Sequence, residues 1–307
     1  MLSIKANFVK NKIIKSIDRK AKIMEIIKKS TDLQKQIIEL KKSGKTIGFV
    51  PTMGALHNGH ISLIKKAKED CDIVVLSIFV NPKQFGPNED YNKYPRVHEI
   101  DIKICEEENV DFLFLPDEKT FYDEFHLTYV EVEKLSNIHC GKSRPGHFKG
   151  VTTVVAKLFN IVLPDKAYFG KKDFQQLIII KKMVNDLSFP IEIIGCPIVR
   201  DFDGLALSSR NKYLTDEERK IALKISQSLN KAKEAILKNE KDASMIYDLI
   251  LNELNNVDGL KIDYISIVDD KFLESVKTIS KNTVILIACF VGKTRLIDNL
   301  HCEEFLN

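Results

Sequence analysis

Apolar residues follow two different periods along the chain, and the alternation of these periods predicts strands that are followed by helices. Residues 46–50 are apolar and rich in β-forming residues, whereas 61–68 carry apolar residues at helical spacing. The run 73–80 is unbroken and apolar, which is typical of a central strand covered on both faces of a parallel sheet. Further strands are predicted at 111–115, 166–169 and 191–199, and further helices at 97–108 and 175–187.

This strand–helix repetition predicts an α/β fold over residues 24–199, namely a Rossmann-like doubly wound parallel sheet that binds ligands at the carboxyl ends of its strands. The first helix has a capping-box pattern, Thr31-x-x-Gln34, and we expect it to run to about Lys42 and to stop at Gly44.

The pattern changes after about residue 200. A second capping box, Thr215-x-x-Glu218, predicts the start of a long helix with acidic residues in its first turn. We therefore expect a second, smaller α+β domain over residues 200–307. Its other predicted elements are a helix near 243–254 and alternating strands at 261–268 and 283–290.

The composition excludes several classes of protein. Of the 307 residues, 44% are hydrophobic and 29% are charged, as in an ordinary globular protein. No apolar run approaches the roughly 20 residues that cross a bilayer, and no signal-peptide pattern opens the sequence, so we expect a cytoplasmic protein with no membrane partner. The six cysteines are scattered without a C-x-x-C pair. This favours reduced, mostly buried thiols over a zinc ribbon or a disulfide framework.

The net charge of +4 is unevenly distributed. Residues 1–23 carry seven basic side chains against Asp18, a net +6, which leaves −2 on the other 284 residues. The main body is therefore not expected to bind nucleic acid. The basic extension has almost no serine and no arginine bias, unlike a targeting peptide. We interpret it as a loose tail or as sequence upstream of a true start at Met24.

The most informative segment is the predicted strand-to-helix turn at 50–60, which reads VPTMGALHNGH. At a helix N-terminus, unpaired backbone N–H groups and the helix dipole favour an anion, and glycines let that anion approach closely. His57 and His60 are three positions apart, so both can face the anion and donate hydrogen bonds to it. The segment therefore predicts a phosphate-binding turn.

Other interpretations fit this segment less well. Gly54-x4-Gly59 has the glycine spacing of a P-loop, but His60-Ile61 replaces the Lys-Ser/Thr pair that the motif requires. A dinucleotide fingerprint needs three glycines, whereas this segment has only two. A zinc site of the H-E-x-x-H type needs histidines four apart with a glutamate, whereas His57 and His60 are three apart. A single histidine in a turn is most often a surface group. The pairing of two histidines, the glycines and the flanking elements favour the anion site.

Two further segments follow predicted strands. Asn81 and Gln84 offer amides to a neutral or carboxylate ligand. The segment 170–173, Gly-Lys-Lys-Asp, joins a flexible glycine to lysines that can meet phosphates, with Gln176 about one turn later. In isolation, a polar turn is the better interpretation of Asn81 and Gln84, and a solvated charge cluster fits 170–173 equally well.

Two loops add cations. The segment 207–211, at the join between the two predicted domains, places two hydroxyls beside Arg210 and can clamp a leaving pyrophosphate. Arg144 lies in another loop, in the sequence RPGHF. A plain interdomain loop and a plain surface loop are the alternatives for these two segments.

Over about residues 24–307 the chain resembles the pantoate-beta-alanine ligase, or pantothenate synthetase, family within the superfamily of H-x-G-H adenylyltransferases. H-x-G-H alone would be a weak indicator because that superfamily acts on many substrates, but many blocks in the same order are a strong one. One departure is Lys171, which replaces the acid common before the Lys172-Asp173 pair. The blocks that carry the resemblance are 51–60, 79–86, 94–96, 144–151, 172–176, 203–211 and 294–299.

The resemblance implies condensation of pantoate with β-alanine to pantothenate, driven by cleavage of ATP to AMP and pyrophosphate through a pantoyl adenylate. It also implies Mg²⁺ on the ATP phosphates and a homodimer. His60 would be a proton donor, and His57 and Lys172 would also be catalytic. The implied ATP site comprises Met53, Gly54, Ala55, Leu56, His57, Asn58, Gly59, His60, Gly170, Lys171, Lys172, Asp173, Val199, Leu207, Ser208, Ser209 and Arg210. The implied substrate-binding residues are Gln84, Gln176, Asn81, Arg144 and Tyr94.

Two other functions remain open on the sequence. The first is an adenylyltransferase that acts on a phosphate-terminated nucleotide or on phosphopantetheine, since its H-x-G-H turn would look the same. The second is a nucleic-acid or membrane module led by the basic extension at 1–23. Product analysis separates the first from a ligase, because an adenylyltransferase of that kind releases no AMP.

Overall fold

The computed structural model describes residues 23–87 and 89–306, and the predicted basic extension at 1–23 lies outside them except for its last residue. Within these ranges the main sheet consists of β1 (Glu25–Ile27), β2 (Ile47–Thr52), β3 (Ile73–Ile78), β4 (Phe112–Phe114), β5 (Lys166–Gly170) and β6 (Glu192–Cys196). The strands lie in the order β1-β4-β3-β2-β5-β6, and all their pairings are parallel. The predicted α/β fold with a Rossmann-like doubly wound sheet is confirmed.

The apolar run at 73–80 forms a central strand, as its pattern predicts. Every residue of β3 is buried, and β3 lies between β4 and β2. A strand in that position is covered on both faces, so neither face needs polar side chains. The strand is shorter than the apolar run and ends at Ile78.

Helices cover both faces of this sheet. They are α1 (Ser30–Lys42), α2 (Asn58–Asp70), α3 (His98–Glu107), α4 (Glu118–Phe121), α5 (Cys140–Ser143), α6 (His147–Val162) and α7 (Phe174–Asp186). Phe49 of β2 belongs to an apolar cluster with α1, α6 and α7, whereas its neighbour Val50 belongs to a cluster with α2 and α3. Successive strand residues point to opposite faces, so the two clusters are the two cores of a three-layer arrangement.

The long helix α6 was missed by the sequence analysis, and one predicted cap is wrong. Helix α6 is buried along most of its length, where it packs against α1, α7 and β2. Its apolar residues nevertheless keep a helical period, with Lys149, Lys157 and Asn160 on the remaining side, so the sequence carried a signal for this helix. Helix α1 extends to Lys42 as predicted, but it begins at Ser30 with no side-chain cap. The side chain of Gln34 instead donates to the carbonyl oxygen of Asn160 at 2.7 Å.

The C-terminal part has the predicted α+β composition. Its elements are α8 (Asp216–Leu237), α9 (Ala243–Asn255), β7 (Leu260–Asp269), β8 (Thr283–Val291) and β9 (Thr294–His301), and its strands pair antiparallel in the order β7-β8-β9. The second capping box is confirmed, because Thr215 and Glu218 each accept the other's backbone N–H with their side chains. Strand β9 was not predicted.

The C-terminal sheet shares an apolar core with the parallel sheet. Val268, Val284 and Leu286 belong to the same buried cluster as α6 and α7. The division of the chain into domains at about residue 200 stays a prediction. In the part of the chain that the structure describes, all six cysteines are buried and none forms a disulfide.

The described residues include no helix of the length and hydropathy needed to cross a bilayer. The cytoplasmic location stays a prediction.

Candidate active site

The predicted site residues gather at the carboxyl ends of β2 and β5. The strand order reverses there, because β3 and β4 continue on one side of β2 and β5 and β6 on the other. Doubly wound sheets bind ligands in the crevice at such a switch point. A cleft of about 1170 Å³, counted to its open mouth, lies at this point. The predicted residues that line it are Met53, His57, Gly59, His60, Asn81, Gln84, Tyr94, Gly170, Lys172, Asp173, Gln176, Val199, Leu207, Ser208, Ser209 and Arg210.

The turn between β2 and α2 is held from behind by Asp101 of α3. The Asp101 side chain is completely buried and accepts the backbone N–H groups of Ala55 and Leu56 at 2.9 and 2.8 Å. Gly54 has φ +80°, and a Cβ there would lie 2.8 Å from the Asp101 carboxylate. The turn therefore needs glycine at this position. Asp101 was missed, although an acid four residues before the buried Cys105 of the same helix was a usable signal.

This arrangement corrects one expectation about the turn. The N–H groups of Ala55 and Leu56 donate to a protein carboxylate and are not available to a phosphate. Gly54, Ala55, Leu56 and Asn58 are also absent from the residues that line the cleft. The structure thus brings the side chains of the histidine pair into the cleft, whereas the backbone of residues 54–56 serves the fold.

The two histidines cap the start of helix α2 with their own rings. His57 is the N-cap, and its Nδ1 accepts the backbone N–H of Gly59 at 3.1 Å. The Nδ1 of His60 accepts the backbone N–H of His57 at 3.3 Å. A ring nitrogen that accepts carries no proton, so the proton of each neutral ring lies on Nε2. A Cβ at position 59 would lie 2.8 Å from the His57 ring, which explains the glycine of the motif.

Burial keeps both rings neutral near pH 7. Desolvation, together with the Lys172 ammonium, lowers the pKa of His57 to about 4. Desolvation lowers the pKa of His60 to about 3, with added contributions from His57 and Lys172. Two neutral imidazoles with their protons on Nε2 are hydrogen-bond donors that carry no net charge.

Lys172 lies in the turn after β5. Its ammonium contacts the Asp173 carboxylate at 3.2 Å. Burial alone would raise the pKa of Asp173, but the adjacent Lys172 ammonium outweighs it and the pKa is lowered. The backbone of this turn is fixed from the C-terminal sheet, because the Asn299 amide donates to the carbonyl oxygens of Lys171 and Lys172 at 3.0 and 2.9 Å.

Lys171 points away from the cleft, unlike its neighbour. Its ammonium pairs with Glu303 at 2.8 Å and with Glu304 at 3.2 Å. It is not among the residues that line the cleft. The expectation that its side chain lies in the ATP site is therefore not met, because two carboxylates at the end of the chain attract it to the outer side of the turn.

Two arginines expected near the ligands are each paired with a carboxylate from one loop. Arg210 contacts Asp90 through two nitrogens at 2.9 Å each. Arg144 contacts Glu89 at 2.7 and 2.6 Å and lines a neighbouring cavity between the two sheets instead of the cleft itself. Desolvation would raise the pKa of Asp90, but the Arg210 guanidinium outweighs it and the pKa is lowered. Glu89 and Asp90 were missed by the sequence analysis.

The amide residues occupy the inner end of the cleft. Gln84 and Asn81 are almost completely buried, and Gln84 and Gln176 both line the cleft. Tyr94 is buried beside them, with its hydroxyl 3.1 Å from that of Ser209. The cleft therefore combines neutral ring donors, one lysine and one arginine with amides that suit a carboxylate or hydroxyl group.

The arrangement can be compared with known proteins. The sequence model described as "Pantoate-beta-alanine ligase" matches residues 25–301. The chain belongs to this family. Pantothenate synthetase of Sulfurihydrogenibium sp. (strain YO3AOP1) is 53% identical over 278 residues, which cover 90% of this chain and 99% of the relative. Pantothenate synthetase of Thermotoga neapolitana is 53% identical over 276 residues, covering 90% and 99%.

Solved structures of the pantoate-beta-alanine ligase family share this fold. Pantothenate synthetase from Thermus thermophilus superimposes with a TM-score of 0.87 at 41% identity, over 91% of this chain and 99% of that one. Pantoate-beta-alanine ligase from Francisella tularensis, complexed with beta-gamma ATP and beta-alanine, gives a TM-score of 0.76 at 43% identity, over 91% and 98%. The resemblance identified from the sequence blocks is confirmed.

Proposed function

We propose that this chain condenses pantoate with β-alanine to form pantothenate, with cleavage of ATP to AMP and pyrophosphate. Membership of the pantoate-beta-alanine ligase family over residues 25–301 supports this function. The observation that carries the mechanism is the pair of neutral histidines opposite Lys172 in one cleft. An adenylyltransferase with a phosphate-terminated substrate is not favoured, because the match to the ligase family covers nearly the whole described chain.

In the first step a pantoate carboxylate oxygen attacks the α-phosphorus of ATP. The bond from the α-phosphorus to the bridging oxygen breaks, and pyrophosphate leaves with the electron pair. Negative charge builds on the phosphate oxygens during this exchange, so fixed donors aimed at them lower the barrier. We assign this role to the Nε2–H groups of His57 and His60 and to the Lys172 ammonium.

His60 acts in this mechanism as a hydrogen-bond donor. Burial lowers the pKa of His60 to about 3, so near pH 7 the ring is neutral and has no second proton to give away. The reaction at phosphorus needs none, because pyrophosphate is a stable leaving group with its charge spread over several oxygens. In place of the proton donor that the resemblance implies, we propose a neutral hydrogen-bond donor that keeps its proton.

Ser208, Ser209 and Arg210 hold the leaving pyrophosphate. All three line the cleft, and the Ser208 hydroxyl accepts the backbone N–H of Arg210 at 3.3 Å. The Arg210 guanidinium is paired with Asp90, so it must exchange this carboxylate for phosphate oxygens. Such an exchange is nearly balanced in energy, because one anion replaces another on the same guanidinium.

In the second step the neutral β-alanine amine attacks the acyl carbon of the pantoyl adenylate. The bond from this carbon to the phosphate oxygen breaks, AMP leaves with the electron pair, and the new amide nitrogen loses its proton to solvent. Gln84 and Gln176 are assigned to pantoate, which they hold through its oxygen atoms in both steps. No covalent bond to the protein forms.

Mg²⁺ belongs to the substrate in this proposal, because it binds to the ATP phosphates. Magnesium sites of this kind use phosphate oxygens and water with one or two carboxylates. Among the described residues no group of three metal-binding side chains occurs, and Asp173 is a carboxylate that lines the cleft. Asp173 is thus the side chain available to a phosphate-bound Mg²⁺.

The homodimer also stays a prediction, which sedimentation equilibrium tests.

The test of this function is exchange of labelled pyrophosphate into ATP. We expect exchange that requires pantoate and proceeds without β-alanine, because the adenylate forms before the amine reacts. Exchange without pantoate, or no exchange at all, would contradict the proposal. Addition of β-alanine should then release AMP, whereas an adenylyltransferase with a phosphate-terminated substrate would release none.

A further inference from the structure

Three side chains form a hydrogen-bonded series that leads to the inner end of the cleft. The Tyr122 hydroxyl donates to Oδ1 of Asn81 at 3.0 Å. The Nδ2 of Asn81 donates to Oε1 of Gln84 at 3.1 Å. The Nε2 of Gln84 in turn lies 2.8 Å from the sulfur of Met53. We call Tyr122, Asn81 and Gln84 the amide relay.

The backbone determines which way the Asn81 amide faces. Its Oδ1 accepts the backbone N–H of Lys83 at 3.3 Å, and its Nδ2 donates to the carbonyl oxygen of Gly150 at 3.0 Å. A backbone N–H can only donate and a carbonyl oxygen can only accept, so rotation of this amide by 180° would break both contacts. Asn81 is 1% exposed, so water cannot replace them.

The fixed Asn81 determines the orientation of Gln84. Because Nδ2 of Asn81 is a donor, it requires Oε1 of Gln84 on its side, and the Gln84 NH₂ group then faces Met53 and the cleft. A thioether sulfur is a weak acceptor. The N–H groups of Gln84 thus remain available to a carboxylate or hydroxyl oxygen of a ligand, and the carbonyl oxygen does not.

The ring of Tyr122 is held without help from its hydroxyl. Its centroid lies 5.2 Å from that of Phe121 and 6.0 Å from that of Phe79. The ammonium of Lys83 lies 4.9 Å from the ring centroid and that of Lys157 lies 5.3 Å from it. Burial raises the pKa of the hydroxyl, so it remains a donor at neutral pH. Loss of the hydroxyl alone should therefore leave the ring in place.

We propose that Tyr122 is a positioning residue that acts through Asn81 to keep the N–H groups of Gln84 directed at the substrate. Asn81 serves the same purpose, because its side-chain oxygen and nitrogen are already engaged by protein groups. The relay makes the inner end of the cleft a donor site, which favours a hydroxy acid over an analogue that presents a donor there. This inference rests on the assignment of Gln84 to pantoate.

The test is Tyr122→Phe, which removes one hydroxyl and keeps the ring. We expect KM for pantoate to rise about three- to tenfold, the usual effect of one buried hydrogen bond, with KM for ATP and kcat changed less than about twofold. The matched control is Tyr168→Phe, which removes a buried hydroxyl that bonds Asp70 at 3.1 Å, away from the cleft. It should lower stability and leave KM for pantoate unchanged.

A double variant tests whether Tyr122 acts through Gln84. In a Gln84→Ala background, Tyr122→Phe should produce no further rise in KM for pantoate, because the group that it positions is gone. An equal rise in both backgrounds would overturn the relay, as would an unchanged KM in the single variant.

A measurement without substrate separates this inference from the proposed function. In protein labelled with ¹⁵N at asparagine and glutamine side chains, Tyr122→Phe should shift the amide resonances of Asn81 and Gln84, whereas Tyr168→Phe should not. Unchanged resonances would overturn the relay even if the wild-type protein catalysed pyrophosphate exchange. Shifted resonances in a protein without such exchange would support the relay and contradict only the proposed function.

Discussion

The two walls of the cleft differ in how much of their final geometry exists before a ligand binds. On one wall, His57 and His60 are fixed by backbone N–H groups of their own helix start, and burial keeps them neutral. On the other, Arg210 is held by the carboxylate of Asp90. If both walls bind phosphate as proposed, the first needs no rearrangement, whereas the second must exchange one anion for another.

The physical reason for this difference is the cost of burying charge. A neutral imidazole can be buried with its Nε2–H group unpaired at a modest free-energy cost, because a neutral group loses much less hydration than a charged one. A buried guanidinium needs a counter-charge, which Asp90 supplies to Arg210. We therefore expect substitutions of the two histidines to act mainly on the chemical step, and substitutions around Arg210 to act mainly on ATP affinity.

The largest expected effect comes from the histidine wall. We expect His60→Ala to lower kcat/KM by about 10²–10³, the typical effect of one fixed donor to a developing charge. His98→Ala, at an exposed position on α3, is the control and should leave kcat/KM unchanged. A loss of less than tenfold in a folded His60→Ala protein would show that this wall does not carry the chemical step.

Asp101, which holds the histidine turn from behind, should make a large contribution to stability. Asp101→Ala leaves the N–H groups of Ala55 and Leu56 buried without an acceptor. We expect the free energy of unfolding to fall by about 3 kcal/mol, since each hydrogen bond to a charged group contributes about 1.5–3 kcal/mol. Urea denaturation measures it, with the exposed Asp248→Ala on α9 as the control. Equal stability of the two variants would contradict this role of Asp101.

Acid should destabilise the histidine wall in particular. The pKa values of His57 and His60 are lowered from 6.5 to about 4 and about 3, so below about pH 6.5 the unfolded chain binds protons that the folded chain does not. Stability therefore falls as the pH falls through this window. We expect the free energy of unfolding to drop more between about pH 7.5 and about pH 5 in the wild type than in a His57→Gln, His60→Gln double variant. Equal drops would indicate that burial does not hold these rings neutral.

A smaller effect is expected on the arginine wall. Asp90→Asn removes the charge that competes with phosphate for Arg210, so KM for ATP should fall about two- to fivefold, in line with the modest strength of partly exposed ion pairs. Glu89→Gln is the control on the same loop, because its partner Arg144 does not line the cleft. A rise in KM for ATP in Asp90→Asn would show that Asp90 aids binding instead of competing with it.

The smallest effect concerns Lys171. Its ammonium pairs with Glu303 and Glu304 outside the cleft, so Lys171→Ala should change KM for ATP less than about twofold, as for the loss of a surface ion pair. Lys172→Ala offers the contrast, with a large loss of kcat/KM. An increase in KM for ATP of tenfold or more in Lys171→Ala would place this side chain in the ATP site after all.

The sequence predicted best what depends on neighbours along the chain. The central strand β3, the helix that follows the histidine turn and the capping box at Thr215 all follow from local spacing. It predicted less well where a polar residue finds a partner far away, as Gln34 does at Asn160. The capping box at Thr31 is wrong for that reason, whereas α6 was missed although its apolar residues keep a helical period.

The doubly wound sheet, the histidine turn and the family all follow from the amino-acid sequence, because each is encoded in periods and motifs of a few residues. Which groups line the cleft, and in what charge state, depends on contacts between distant parts of the chain. Asp101 lies 46 positions from Ala55 and Asp90 lies 120 from Arg210. Contacts over such separations depend on how the layers pack, and packing determines the burial that makes the histidines neutral and the carboxylate that occupies Arg210.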